Sequence, residues 1–279
     1  GPAPLRRPAH PPAAQGRGPG IRDRRSVRMT ARQWTGDGWQ PRGSPEVAQG
    51  RALVVINPNS TQAVTDGIAD ALAPFAGWGV PIRCETLAEG PPGIEDDAEV
   101  AAVVPPLLAR AAALEAEAAG FVIACFSDPG LHALRARTAL PVFGIGEAAC
   151  LAACALGDRF GIVSVAAASL PRHARALRAW GLEGRCAADR ATGLGVAGLT
   201  APGAMDRLVA TARALAREDG AEVLVLGCAG MAHARATLEE ATGLPVIEPC
   251  QAAVAQALAR IAIGRAAAGP PSTESAHAR

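Results

Sequence analysis

Short apolar runs rich in β-branched residues alternate along this chain with longer stretches whose apolar positions recur at helical spacing, beginning at residue 52. The run at 52–56 ends in the polar turn NPNST at 57–61 and leads into helix-compatible sequence over 62–72. That order of buried strand, polar turn and capped helix then recurs. Further strands are predicted at 80–86, 120–125, 141–145, 160–165, 222–227 and 245–248, and helices at 96–119, 131–138, 168–180, 203–218, 232–241 and 251–262. The helix over 96–119 must tolerate Pro105 and Pro106. Cys150 and Cys154, four apart in an Ala-rich helical stretch, read as small packing groups. Short apolar strands alternating with helices imply an α/β fold whose parallel sheets are covered on both faces.

The pattern repeats in its residues as well as its periods. Residues 120–149 lie over residues 221–253, each reading strand, cysteine, small turn, helix, Pro-Val strand, then an acid and an Ala-Ala pair. Cys125 precedes Pro141 by 16 positions and Cys228 precedes Pro245 by 17. Two similar lobes follow, each a parallel sheet flanked by helices, with the active site in the crevice between them. Each lobe would carry a cysteine just past the carboxyl end of a strand, where open α/β sheets place their ligand crevice.

Composition narrows the chemistry. All 27 basic residues of the 279 are arginine, so a lysine Schiff base, a P-loop lysine and a kinase-type lysine are excluded. Residues 1–48 hold nine arginines against three acids, whereas the remainder holds 18 against 23, a mildly acidic body with no nucleic-acid footprint. The first 48 residues are rich in Pro, Gly and Arg without apolar periodicity and read as a disordered extension. No run has the length of a membrane span or the shape of an export signal. The seven cysteines are an odd number without disulfide spacing, and read as reduced cytoplasmic thiols. No CxxC, HxxxH or HExxH spacing points to a metal.

A cysteine at a strand-to-helix turn meets free N–H groups and a partial positive charge that favour the thiolate. Two such groups on opposite faces of one carbon suit proton removal on one side and proton delivery on the other, which is racemisation. The small turn residues Ser127, Asp128, Ala229 and Gly230 would leave backbone N–H groups free to meet enolate charge. Residues 125–130 (CFSDPG), 227–231 (GCAGM), 57–61 (NPNST) and 245–249 (PVIEP) resemble the hydantoin racemase branch, allantoin racemases included, of the aspartate/glutamate racemase superfamily. The resemblance spans about residues 50–265. It implies a cofactor-independent two-cysteine enzyme acting on a small-molecule substrate, homo-oligomers, and a role in nitrogen-compound metabolism. By motif it assigns Cys125 and Cys228 as the acid–base pair, and Asn59, Ser127, Asp128, Ser164, Ala229 and Gly230 as substrate contacts. It also divides the chain into lobe one at 49–144 plus 250–268, lobe two at 145–249, and a flexible tail at 269–279. Glu147 and Glu248 read as surface or helix-capping carboxylates, and His132 and His233 as helix-surface or packing residues. The turns lack the polar pairs with which amino-acid racemases grip a carboxylate, which favours a neutral ring. The alternatives are an aspartate/glutamate-type racemase, a one-cysteine decarboxylase or isomerase, a non-catalytic binding protein, and a redox switch.

Overall fold

The computed structural model describes residues 50–267. The extension expected at 1–48 and the tail expected at 269–279 lie outside the described residues. Strands β1 (Ala52–Asn57), β2 (Ile82–Thr86), β3 (Ala118–Ile123) and β4 (Val142–Gly144) form one sheet, and β5 (Phe160–Ser164), β6 (Cys186–Ala191), β7 (Val223–Leu226) and β8 (Val246–Ile247) form another. All pairings are parallel, and the orders β2-β1-β3-β4 and β6-β5-β7-β8 are equivalent, so the sequence repeat is a repeat of fold. The register sets Val54 beside Phe121 in the first sheet and Ile162 beside Val225 in the second.

The helices are α1 (Gln62–Ala71), α2 (Asp97–Ala102), α3 (Val104–Leu114), α4 (Leu131–Arg135), α5 (Ile145–Cys154), α6 (Leu170–Trp180), α7 (Ala204–Arg217), α8 (Arg235–Thr242) and α9 (Pro249–Ala267). Strand alternation sends β1 side chains to two cores. Leu53 and Val55 join Ile68 of α1 and Val254 of α9, while Val54 and Ile56 pack with Leu107 and Ala111 of α3. In the second sheet Val163 meets Leu208 and Leu215 of α7, and Ile162 meets Ala149 and Cys150 of α5 and Leu177 of α6. Full burial of each such Leu or Ile stabilises the fold by roughly 1.5–3 kcal/mol. Helix α9 lies against β1, β3 and β4, and α5 against β5, β7 and β8, with α5 and α9 packed on one another.

Two expectations are corrected. The helix over 96–119 is broken at Val103 into α2 and α3, because Pro105 falls in the first turn of α3, where its missing N–H leaves no bond unmade, and could not sit mid-helix. A capping box between Asp96 and Glu99 starts α2. Strand β6, between 180 and 203, is absent from the sequence reading. Its sequence CAADRA has no apolar run because it is a half-buried edge strand. Among the described residues no helix is long and apolar enough to cross a membrane.

Candidate active site in the crevice between the lobes

The carboxyl ends of the two sheets face one small cavity of about 50 Å3. A larger groove of about 850 Å3 between α1 and the edge strand β2 is lined by a single cysteine, Cys84. Two cysteines follow β3 and β7 into the crevice in matched fashion. Cys125 comes two positions after the end of β3, and its carbonyl accepts the Asp128 N–H (2.9 Å). Cys228 comes two after β7, and its carbonyl accepts the Met231 N–H (3.2 Å) in the 3-10 turn Ala229–Ala234. Both thiols line the cavity, half-buried. Gly227 is needed just before the second, since a side chain there would drive into the Val163 carbonyl at 2.8 Å.

The ionisation of these thiols is set by desolvation. Burial pushes Cys125 up to about 12 and Cys228 up to about 11, against an ordinary 9.0. The Ser127 N–H opposes burial at Cys125 and the Gly230 N–H at Cys228. Arg172 adds a smaller pull towards the thiolate at Cys125, while Glu95 and Glu248 reinforce the thiol at Cys228. The turn position alone predicts a depressed thiol. Closure of the crevice outweighs it.

A family model described as Asp/Glu/Hydantoin racemase matches residues 53–257. The chain belongs to that family. A hydantoin racemase of Paenarthrobacter aurescens is 36% identical over 220 residues, covering 76% of this chain and 92% of that protein. The allantoin racemase of Klebsiella pneumoniae superposes with a TM-score of 0.73 at 31% identity, covering 82% of this chain and 97% of that one. That of Pseudomonas fluorescens gives 0.74 at 29%, covering 81% and 100%. The protein is a racemase, and so an isomerase.

Of the residues that sequence assigned to the racemase site, Asn59, Cys125, Ser127, Cys228, Ala229 and Gly230 line the one cavity. The Asn59 side-chain oxygen is held by Asn57 (3.0 Å) and by the Thr61 N–H (3.0 Å), which fixes the amide of a residue only 8% exposed. Asp128 and Ser164 do not line it. Asp128 turns its carboxylate to the start of α5, accepting the Gly146 N–H (3.0 Å) and Glu147 N–H (2.8 Å). It adopts a left-handed backbone (φ 47°) that Asp tolerates better than most residues. Ser164 is fully buried behind the wall, donating to Asp189. Glu248 caps α9 through the Cys250 N–H (3.1 Å) and Gln251 N–H (2.6 Å), Glu147 pairs with Arg135, and His132 and His233 are exposed.

Sequence reasoning missed Arg172 and His173, neighbours in the first turn of α6 that line the cavity while only 8% and 4% exposed. It also missed Glu95. Arg172 Nε donates to Ser127 Oγ (2.7 Å) and its Nη1 to Asp97 (2.8 Å), while Glu95 accepts the Val196 N–H (2.7 Å). The signal available was the charged pair in an otherwise apolar helix start, but a helix carries many such pairs on its solvent side. Among the described residues no three His, Cys, Asp or Glu side chains converge to hold a metal ion.

Proposed function

We propose that this racemase inverts C5 of 5-monosubstituted hydantoins or of allantoin, with Cys125 and Cys228 as its two acid–base groups and no cofactor. The observation that carries the reading is the pair of thiols, each two residues past an equivalent strand, on one cavity. One thiolate takes the C5 proton: the C–H bond breaks, an S–H bond forms, and the electron pair enters the enolate of the adjacent ring carbonyl. The other thiol then returns a proton to the opposite face, leaving its sulfur as the thiolate. A hydantoin C5–H lies between a carbonyl and an amide nitrogen and carries no carboxylate, so the step needs no electron sink beyond the ring. Arg172 is the one arginine lining the cavity among the described residues, and its guanidinium is already engaged by Ser127 and Asp97, which favours a neutral ring over a free amino acid. We further propose that residues 49–144 with 250–268 act as one lobe and 145–249 as the other, and that the enzyme works as a cytoplasmic homo-oligomer. The family resemblance and the unpaired thiols support this.

Polarimetry in chelator-treated buffer tests the reading, with enantiopure 5-benzylhydantoin, 5-methylthioethylhydantoin and allantoin beside L-aspartate and L-glutamate. Optical activity should decay for at least one ring substrate. Faster loss with aspartate or glutamate than with every ring would reassign the enzyme to amino acids. In D2O, Cys125→Ala and Cys228→Ala should each stop racemisation yet exchange the C5 hydrogen of opposite enantiomers. Near-native racemisation by either variant rules out the two-sided transfer.

A further inference from the structure

The proton transfer just described leaves unused the one imidazole that lines the crevice among the described residues. His173 is 4% exposed, and its ring is held on three sides. Nδ1 lies 2.7 Å from Asp189 Oδ2, on β6, and 3.2 Å from the Ser164 hydroxyl, at the end of β5. Ser164 itself donates to the other Asp189 oxygen. Phe126, the residue after Cys125, packs edge-on against the imidazole with centroids 5.0 Å apart at 70°. A carboxylate can only accept, so in the neutral ring the hydrogen sits on Nδ1 and the lone pair on Nε2.

Nε2 has no protein partner among the described residues, yet no sealed side-chain nitrogen or oxygen there lacks one. Since His173 lines the cavity, Nε2 is the nitrogen that opens onto it. The carboxylate and the hydroxyl, from two strands, satisfy the buried Nδ1–H and fix the tautomer and plane of the ring, so Nε2 is its free acceptor. The arrangement resembles that of a metal-ligating histidine, whose second nitrogen is aimed by a carboxylate behind it. The cavity that His173 shares with the two cysteines has no metal-ligand cluster among the described residues, so the partner that fits the aimed atom is a hydrogen-bond donor of the bound molecule.

We infer that His173 is a recognition residue of the crevice, its Nε2 accepting a hydrogen bond from a ring N–H of a cyclic ureide. Asp189 and Ser164 are the residues that position it. The inference rests on the function proposed above and adds a requirement to it: the substrate must keep the N–H that meets Nε2. Replacing that hydrogen by methyl removes the donor and crowds the wall, and removing the imidazole leaves the donor buried without an acceptor. Either change should weaken binding about tenfold or more.

Calorimetry with 5,5-dimethylhydantoin tests this, because a ring without a C5 hydrogen binds but cannot turn over. Its 1-methyl and 3-methyl derivatives report which N–H matters. Wild-type protein should bind the parent ring about tenfold more tightly than one of the two methylated probes. His173→Phe should bind the parent and that same probe alike, and with a reactive hydantoin should raise KM while leaving kcat within a few-fold. In wild-type protein, the 15N resonance of His173 Nε2 should start at the unprotonated position and move upfield when 5,5-dimethylhydantoin is added, a readout that survives even if the variant does not fold. Equal wild-type affinity for all three probes, or an Nε2 resonance that ignores the ligand, overturns the assignment while leaving the racemase reading intact. A variant that loses kcat with KM unchanged also overturns it, by making His173 a proton-transfer group. Wild-type protein that binds none of the rings overturns the proposed function and this inference with it.

Discussion

At the scale of single residues, what distinguishes Cys125 and Cys228 is how strongly their surroundings oppose the charge they need. Thiols raised to about 12 and about 11 leave roughly one Cys125 in ten thousand and one Cys228 in a thousand ionised at pH 8. Activity of the free enzyme should therefore climb nearly tenfold per pH unit through neutrality. It should keep rising past pH 9, the ordinary thiol value, before any fall from loss of the second thiol's proton. A profile of kcat/KM from pH 6.5 to 10.5, corrected for uncatalysed exchange, checks this. A plateau already present at pH 7 would mean that a thiolate is stable in the closed crevice and that the N–H groups of Ser127 and Gly230 prevail over burial.

At the scale of elements, the turn after β3 is organised by Asp128, which ties the first cysteine turn to the start of α5. Gly144 and Gly146 allow that approach: a side chain at Gly144 would fall 2.2 Å from the Asp128 carboxyl carbon, and one at Gly146 would strike the Phe126 carbonyl at 2.2 Å. Burial raises the Asp128 carboxyl to about 7 from 3.8, against the opposing N–H groups of Glu147 and Gly146. The folded protein thus holds a proton that the unfolded chain has released between those values. Stability from this group is full below pH 3.8 and is lost as pH rises through about 7. Asp128→Asn should remove that slope and, by setting an amide against an N–H, destabilise the fold by about 1–3 kcal/mol at pH 6. Urea unfolding of both proteins from pH 5 to 8 measures it. Parallel pH dependence in the two would assign the slope to another group.

At the scale of the whole molecule, the lobes are latched across the crevice mouth. Glu95, in the loop before α2, accepts the Val196 N–H from the far lobe, and Asp97 pairs with both Arg172 and Arg175 of α6. Gly195 lets the loops meet, since a side chain there would lie 2.9 Å from the Glu95 carboxylate. A cavity of about 50 Å3 holds only one or two water molecules. A bound ring has to enlarge this space, and the contacts that cross the crevice are the ones expected to part and re-form. Glu95→Ala should lose about 1–2 kcal/mol of closure, seen as a roughly tenfold rise in KM. Hydrogen exchange at the Val196 amide should slow on binding 5,5-dimethylhydantoin in wild type, and much less in the variant. Unchanged exchange in wild type would show that the ligand enters without moving this latch.

Much of this molecule is legible in its sequence. The central strands are apolar runs buried on both faces, and burial is a local property of composition, so β1, β3, β5 and β7 were readable within a residue or two. The internal repeat carried the two-lobed plan and the matched cysteines, because a duplicated unit repeats its turn chemistry with its strands. Edge strand β6 and the break between α2 and α3 were not readable from periodicity, since an edge tolerates CAADRA and a proline pair marks a helix start as well as a helix fault. Only the tertiary structure decided that Asp128 and Ser164 serve as supports while Arg172, His173 and Glu95 reach the crevice. Those outcomes depend on contacts between segments far apart in the chain, some within one lobe and some from one lobe to the other. The same packing withdraws water from the two thiols, and desolvation by distant segments leaves no mark in the local sequence.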